Sequence, residues 1–494
     1  MSSKFAVVFN YLSDSHCLSL LNSYKDWTKK STHTLEGFYI CGQTPQNKIE
    51  GTEILGGYGL NYRQTLEELC DKSKADFFIM LLKPVGLEIL EDFELWLNKI
   101  LAENLAFSFS SHEQQSCSAK IEQQPLIDYQ LGSVRDDFDF GAIVILKRES
   151  LEKALSQFAT LVCDDQTALY AVRLALSLQA LPSRFENTTY KTIELEAENQ
   201  HLAHFAYASS AGASNQKAFE KTFVRFAEIA GFYKDTEAKT VDFAKETFEF
   251  EASVIIPVRN RAGKIEHAVA SALSQKTDFK FNVIVVDNHS SDGSTEALAK
   301  LAKENANLFH VIPDRTDLGI GGCWELAVNN CNCGKFSVQL DSDDLYKDEN
   351  VLSMIVQRFY QTQAAAIVGS YLLVDRDLNP IPPGSIEHRE WNSKTGYSNI
   401  LRINGLGAPR AFHTPVIRKI GFPNVSYGED YSAMLAISRE YKISRIYEHL
   451  YLCRRWEGNS DAAPSIEKLN QFHSYKDGLR SKEIEIRKSC LSCD

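Results

Sequence analysis

No apolar run in the 494 residues reaches the 18 or so needed to cross a bilayer, so a spanning helix is not expected. The opening, Met1-Ser-Ser-Lys-Phe-Ala-Val-Val-Phe-Asn10, lacks the long apolar segment and cleavage site of a secretory leader and reads as a β-strand. Positive charge is in deficit. Lys and Arg number 53 against 65 Asp and Glu, a formal net charge of −12, which argues against nucleic-acid binding through a broad basic face. A disulfide framework is missing too: the 11 cysteines are odd in number and sit singly or in loose pairs, as reduced thiols of a cytosolic protein do. Cys331-Asn-Cys333 and Cys490-Leu-Ser-Cys493 are too loosely related to specify zinc. What is present, 44% hydrophobic and 24% charged residues, suits a soluble globular chain with at least two cores.

Two regions alternate strand-like and helix-like stretches, with a softer segment between them. Ser209-Ser-Ala-Gly-Ala-Ser-Asn215 is small and polar, as a linker is. A helix is expected over 216–232, where Phe219, Phe223, Phe226, Ala227 and Ala230 recur at helical spacing. A charged connection then leads to a strand beginning near Phe248. The boundary is placed between Gln200 and Glu251: one domain over 1–200, a linker with a helix over 201–250, and a second domain over 251–494.

In the second region Ala252–Val258, Phe281–Val286, Phe309–Ile312 and Phe336–Leu340 read as buried strands with helices between them. Such units predict an α/β fold with a mostly parallel sheet flanked by helices, and ligands at the carboxyl ends of the strands. The two regions also echo each other. Asp164-Asp-Gln-Thr-Ala-Leu-Tyr-Ala-Val-Arg173 resembles Glu429-Asp-Tyr-Ser-Ala-Met-Leu-Ala-Ile-Ser438, and Ala75–Leu81 sits where Gly334–Leu340 does. Ser183-Arg-Phe likewise matches Ser444-Arg-Ile, and Phe5–Phe9 the opening strand of the second half. Ordered matches of this kind point to a tandem duplication.

Three acidic clusters follow the strands. Asp341-Ser-Asp-Asp344 ends a core strand, where several carboxylates repel one another unless a cation compensates them. Hard oxygen ligands suit Mg²⁺ or Mn²⁺ carrying a diphosphate; the other reading is a solvated turn capping a helix near Lys347. Asp287, opening Asp287-Asn-His-Ser-Ser-Asp-Gly-Ser-Thr295, is a candidate for contact with a base edge or hydroxyls, while Asp292 looks architectural. Gly428-Glu-Asp-Tyr431 opens a helix, whose dipole keeps a carboxylate ionised as a general base requires; ordinary capping is the alternative. Asp317-Leu-Gly-Ile-Gly-Gly322 is either a backbone-approach loop or a turn before a helix. Arg454-Arg-Trp456 sets two cations beside a ring, suited to a diphosphate or to surface pairing.

Ser253-Val-Ile-Ile-Pro-Val-Arg-Asn260, Val286–Thr295, Asp341-Ser-Asp-Asp344 and Gly428-Glu-Asp430, in this order, resemble a family 2 glycosyltransferase of the GT-A fold, over roughly residues 250–460. The resemblance implies an inverting enzyme using a nucleotide-diphosphate sugar, UDP- or GDP-linked, with Mn²⁺ or Mg²⁺. It places Pro257, Val258, Arg259 and Arg261 around the nucleotide base, with Asp287 on the base's polar edge. Gly319, Asp341, Ser342 and Arg455 join the donor side. Asp343 becomes the principal metal ligand, helped by Asp341, with Asp344 left open by a one-position shift seen in some members. Asp430 becomes the catalytic base and Glu429 orients the site. The late His of some relatives is not identified, although His449 and His473 are available. Leu452 stands where processive members carry Gln, which argues against polymer synthesis. The same comparison makes the first half a degenerate GT-A-like domain, with Leu82-Lys-Pro84 in place of the carboxylates, fit for scaffolding, acceptor recognition or dimerisation.

The implied protein is a cytoplasmic hexosyl- or N-acetylhexosaminyltransferase, with a peripheral membrane position left open. Its acceptor is a glycan, a lipid-linked molecule or a protein. The rival readings are a nucleotide-sugar-binding or scaffold protein without turnover and, behind it, a nucleotidyltransferase.

Overall fold

The computed structural model describes residues 3–43, 45, 47–157, 165–195, 210–233, 238–388, 396–455 and 465–491. Asp164, Ser209, Trp456 and Cys493, all singled out above, lie outside the described residues. No helix among the described residues is long and apolar enough to cross a membrane. The chain divides into two compact units. The first comprises 1–200, 215–233 and 465–492, the second 201–214, 234–464 and 493–494.

The first unit is built on β1 (Lys4–Asn10), β2 (Thr34–Cys41), β3 (Thr52–Ile54), β4 (Phe77–Leu81), β5 (Gly86–Ile89), β6 (Phe107–Ser110), β7 (His112–Gln115), β8 (Ile121–Gln124), β9 (Ile143–Lys147), β10 (Ser183–Phe185) and β11 (Tyr190–Ile193). Seven of them form a sheet in the order β3-β2-β1-β4-β9-β6-β10, and β5-β11-β7-β8 form a second, smaller sheet. All five residues of β4 are buried, as in a sheet covered on both faces. Phe5, Val7 and Phe9 pack with Tyr24, Trp27, Phe93 and Trp96 of two flanking helices.

The second unit follows with β12 (Ala252–Val258), β13 (Phe281–Asp287), β14 (Leu308–Val311), β15 (Phe336–Gln339), β16 (Leu345–Tyr346), β17 (Ala366–Val374), β18 (Pro380–Ile386), β19 (Arg410–His413) and β20 (Ile443–Arg454). Their order is β14-β13-β12-β15-β19-β17-β20-β16, with β18 on β17. The seven residues of β12 are all buried, which explains the unbroken apolar run. It begins at Ala252 rather than near Phe248.

The two orders are the same arrangement twice, hand for hand. In each unit the first strand pairs in parallel with the second and fourth, and one antiparallel strand, β9 or β19, bridges to the far edge. Even the small sheet repeats: β5-β11-β7-β8 corresponds to β16-β20-β17-β18. Single backbone bonds coincide as well. Arg148 N donates to Asp76 O as Thr414 N does to Lys335 O, and Lys147 N to Ala106 O as His413 N does to Ala365 O. A third matching bond joins Leu90 N to Thr189 O and Lys347 N to Leu450 O. These bonds set Leu82 in register with Asp341, Pro84 with Asp343, Met80 with Gln339, Val144 with Arg410 and Tyr190 with Tyr451.

The helix Ile466–Leu491, assigned from sequence to the second domain, groups with the first unit. Its docking face is charged: Lys476, Asp477, Arg480, Glu483 and Arg487 are all buried. Asp477 receives bonds from Ser133 Oγ (2.8 Å), Arg135 Nε (3.2 Å) and Arg480 Nη1 (2.7 Å). With no apolar stripe to betray it, hydrophobic periodicity gives no sign of this attachment.

Candidate active site

The loops after β12 and β13 are stitched together before any ligand is considered. Asn260 N donates to Ser290 Oγ (2.9 Å), Ser291 N to Asn260 Oδ1 (2.8 Å), Arg261 N to Ser294 Oγ (2.9 Å) and Ala262 N to Asp292 Oδ2 (3.0 Å). Asp292 is thus the architectural residue it looked to be. Asp287, expected at a base edge, is fully buried. Its carboxylate accepts from Ser290 N (3.0 Å) and Thr295 Oγ1 (2.5 Å) and faces His310 Nε2 at 3.3 Å. Burial pushes its pKa up, but the Ser290, Thr295 and His310 bonds together hold it below the usual carboxylate range. Its oxygens shape the loop. Pro257 and Val258 lie inside buried β12, so the open loop begins only at Arg259, which is exposed.

The glycine segment has a job of its own. A Cβ on Gly319 would overlap the Val425 carbonyl, and one on Gly321 the Pro423 carbonyl and Glu429 Cβ. Gly321 N donates to Val425 O (3.0 Å) and Gly319 N to Asn424 Oδ1 (2.8 Å). The missing side chains let the helix Ile320–Val328 press against the segment leading to Glu429. In this structure Gly319 therefore seats the neighbouring chain.

Asp341 to Asp344 leave β15 and run into β16, and the next helix starts only at Val351 with Asn350 as its cap. The capping alternative for the acidic cluster falls away. Its three carboxylates are not equivalent. Asp344 is turned inward, 5% exposed, and accepts from Arg454 N at 2.8 Å. Burial, then Asp341 and Asp343, push its pKa well above the usual range. Asp341 accepts from Gln339 Nε2 (2.9 Å), and its N–H donates to Tyr451 Oη (2.9 Å). Burial raises its pKa against the pull of Arg410. Asp343 is the more open, with its Oδ2 3.3 Å from Arg261 Nε and its carbonyl accepting from Arg454 Nε at 2.5 Å. Ser342 between them is buried. Arg455 N bonds to Val374 O (2.8 Å) on the neighbouring strand.

Glu429 and Asp430 open the helix Glu429–Glu440 after Gly428, which caps it at φ +80°. Asp430 Oδ1 accepts from Tyr431 N (2.6 Å), and its Oδ2 meets Arg410 Nη2 at 2.9 Å. Burial and Asp430 push the Glu429 carboxyl up to about 8. A carboxyl raised above its ordinary value near 4.5 supports the fold while protonated and withdraws that support as pH climbs toward 8. Glu429→Gln is therefore expected to match the wild type near pH 5 and to exceed it at pH 8 and above by a few kcal/mol at most. Urea midpoints at the two pH values measure this; an unchanging gap would mean that the carboxyl titrates normally.

Arg410, Gln339 and Tyr451 were not singled out from the sequence. The one available signal was a cation at the head of the apolar stretch Pro409-Arg-Ala-Phe412. His449 Nε2 is engaged by Ser385 Oγ (2.6 Å), and His473 belongs to the first unit's helix.

Among the described residues no three His, Cys, Asp or Glu side chains form a ready cage for a metal. A divalent ion on substrate phosphates needs only one or two protein carboxylates, and Asp343 with Asp341 is a donor set of that kind. Burial is the main cause of the upward shifts of Asp341 and Asp344, and the neighbouring carboxylates add to it.

The register-matched corner of the first unit carries different residues. Leu82 and Pro84 stand for Asp341 and Asp343, and Lys83 pairs with Asp139 at 3.0 Å. Cys41, on the strand matching β13, is buried with its pKa pushed up to about 12 by that burial.

Residues 253–420 match the family model Glycosyl transferase family 2. The chain is similar to an uncharacterised glycosyltransferase of Rickettsia bellii, 34% identical over 145 residues, which is 28% of this chain and 20% of the relative. It is also similar to one of Rickettsia felis, 28% identical over 138 residues, 27% of this chain and 22% of the relative. The chain thus spans about a fifth of the length of the curated relatives it matches. Among solved structures, TarS 1–349 of S. aureus in complex with UDP-GlcNAc has a TM-score of 0.37 at 20% identity, covering 47% of this chain and 71% of that one. The mannosyltransferase PcManGT of Pyrobaculum calidifontis in complex with GDP-Man and Mn²⁺ has 0.35 at 17%, covering 57% and 86%.

Proposed function

We propose, from the match of residues 253–420 to the glycosyl transferase family 2 model, that the second unit moves a sugar from a nucleotide-diphosphate donor to an acceptor hydroxyl with inversion at the anomeric carbon. The observation carrying this reading is that a partly exposed Asp343, in the turn after β15, and Asp430, opening its helix and paired with Arg410 at the start of β19, lie at the ends of two neighbouring strands. Asp430 takes the proton of the acceptor hydroxyl as its oxygen attacks from the face opposite the diphosphate. Arg259, Arg261 and Arg455 offer positive charge on the donor side, and Ser342 and Asp341 line it. Asp343, with Asp341, would hold Mn²⁺ or Mg²⁺, which when bound supplies Lewis-acid stabilisation of charge on the leaving diphosphate. Fixing donor and acceptor together removes the entropy of their encounter from the barrier. We assign transfer of hexose or N-acetylhexosamine units, one per encounter, to a glycan, lipid-linked or protein acceptor, and a non-catalytic role to the first unit.

A screen of UDP- and GDP-sugars with and without Mn²⁺ tests the reading. A true donor should raise the melting temperature in Mn²⁺, since binding only the folded state at about 100 times Kd adds about 2.7 kcal/mol. It should also release nucleotide slowly without acceptor. Stabilisation without release would favour a binding protein, and neither effect with any nucleotide sugar would overturn the proposal.

A further inference from the structure

Arg410 is the cation around which the acidic side chains of the site are arranged, and its placement is over-determined. Its backbone N–H donates to Gln339 Oε1 (3.1 Å), its Nη1 to Gly407 O (2.8 Å), and its Nη2 reaches Asp430 Oδ2 (2.9 Å). Gln339, 4% exposed, donates its other end to Asp341 Oδ1 (2.9 Å). A continuous polar path therefore runs from Asp341 through Gln339 and Arg410 to Asp430, crossing from β15 to β19 and on to the helix Glu429–Glu440. Asp341, Glu429 and Asp430 all press their charge on Arg410.

The first unit supplies an internal control. Its matching strands pair Met80 with Val144 where the second unit has Gln339 and Arg410. Leu82 stands for Asp341 there, and Asp165, the echo of Asp430, is exposed. Tyr190 is retained in register with Tyr451 and still accepts backbone bonds, from Ala142 N (2.8 Å) and Ile143 N (3.1 Å). The fold keeps its tyrosine where those carboxylates are absent. It dispenses with the Arg–Gln pair where the carboxylates are gone, so that pair serves the carboxylates rather than the sheet.

We propose that Arg410 is a positioning residue, held by Gln339, that fixes the direction of Asp430 as the proton acceptor and ties its placement to Asp341 on the donor side. This rests on the transfer reading given above. Arg410 Nη2 holds Asp430 Oδ2 (2.9 Å) while Tyr431 N holds Oδ1 (2.6 Å), so the carboxylate is gripped at both oxygens and its direction is fixed. A planar guanidinium also sets the direction of the carboxylate it meets, which a mobile ammonium does less well.

The test uses the full chain with a donor that the wild type turns over. Arg410→Gln is expected to lower kcat by about 100-fold, within the range of general-base effects, while donor affinity by titration changes less than about threefold. Arg410→Lys should recover part of the loss, and guanidinium added to Arg410→Ala should restore turnover in a saturable way. Because Arg410 acts through Asp430, Arg410→Gln combined with Asp430→Asn should be no slower than Asp430→Asn alone. Unchanged kcat in Arg410→Gln, or multiplicative losses in the double variant, would overturn the inference while leaving the transfer reading intact. Should Arg410→Gln fail to fold, Arg410→Lys decides: full wild-type kcat from an ammonium, which cannot orient Asp430 through a planar fork, counts against the role. A wild type that transfers nothing with any nucleotide sugar removes the parent reading and this inference with it.

Discussion

Asp430→Asn is expected to cost about three orders of magnitude in sugar transfer while donor binding and melting temperature stay close to wild type. The asparagine keeps the shape of the side chain and can still accept from Tyr431 N, so the start of the helix is preserved. What it loses is the ability to take a proton and to meet Arg410 as an anion. Arg410 would keep its bond to Gly407 O and remain close to Asp341, which limits the damage to the fold. Rates with saturating donor and acceptor, set beside donor affinity, separate the two effects. Full turnover by the variant would remove Asp430 from the role.

Asp343→Ala is expected to abolish the part of donor binding that depends on Mn²⁺ or Mg²⁺. Its carboxylate is partly exposed, whereas Asp344 is turned inward onto Arg454 N and driven toward its neutral form by burial and its acidic neighbours. The neighbouring carboxylate is therefore poorly placed to substitute. Removing Asp343 also takes one carboxylate away from Arg261, whose Nη1 still donates to Asn260 O, so weak metal-independent binding of a phosphate through Arg261 should persist in the variant. Titrating a nucleotide diphosphate with Mn²⁺ and again with chelator measures the difference. Equal affinities in wild type and variant under both conditions would contradict the assignment.

Much of the second unit's fold was legible because its central strands are buried on both faces and so write themselves as unbroken apolar runs, β12 and β13 above all. The strand-end rule then directed attention to Asp341–Asp344, and the echo between the halves was visible in ordered segments such as Ala75–Leu81 and Gly334–Leu340. Other features had no local signal. Whether Asp287 faces a ligand or its own loop depends on Ser290, Thr295 and His310, which only the folded chain assembles. Arg410 meets Asp430 across 20 residues and a change of strand direction, and nothing in either neighbourhood announces the pair. The sequence left Asp317–Gly322 open between a backbone-approach loop and a turn before a helix; in the fold its glycines admit the close approach of 423–425 at the start of the helix Ile320–Val328.

The membership of the helix Ile466–Leu491 has a consequence for biogenesis. A ribosome releases the first unit's opening 200 residues long before it translates the helix that Ser133 and Arg135 bind. Until then Arg135 has Asp137 at 2.8 Å but lacks Asp477, the second of its two counter-charges. The first unit's packing is therefore completed by a helix translated only after residues 234–464 of the second unit, so the two units overlap in time as they fold.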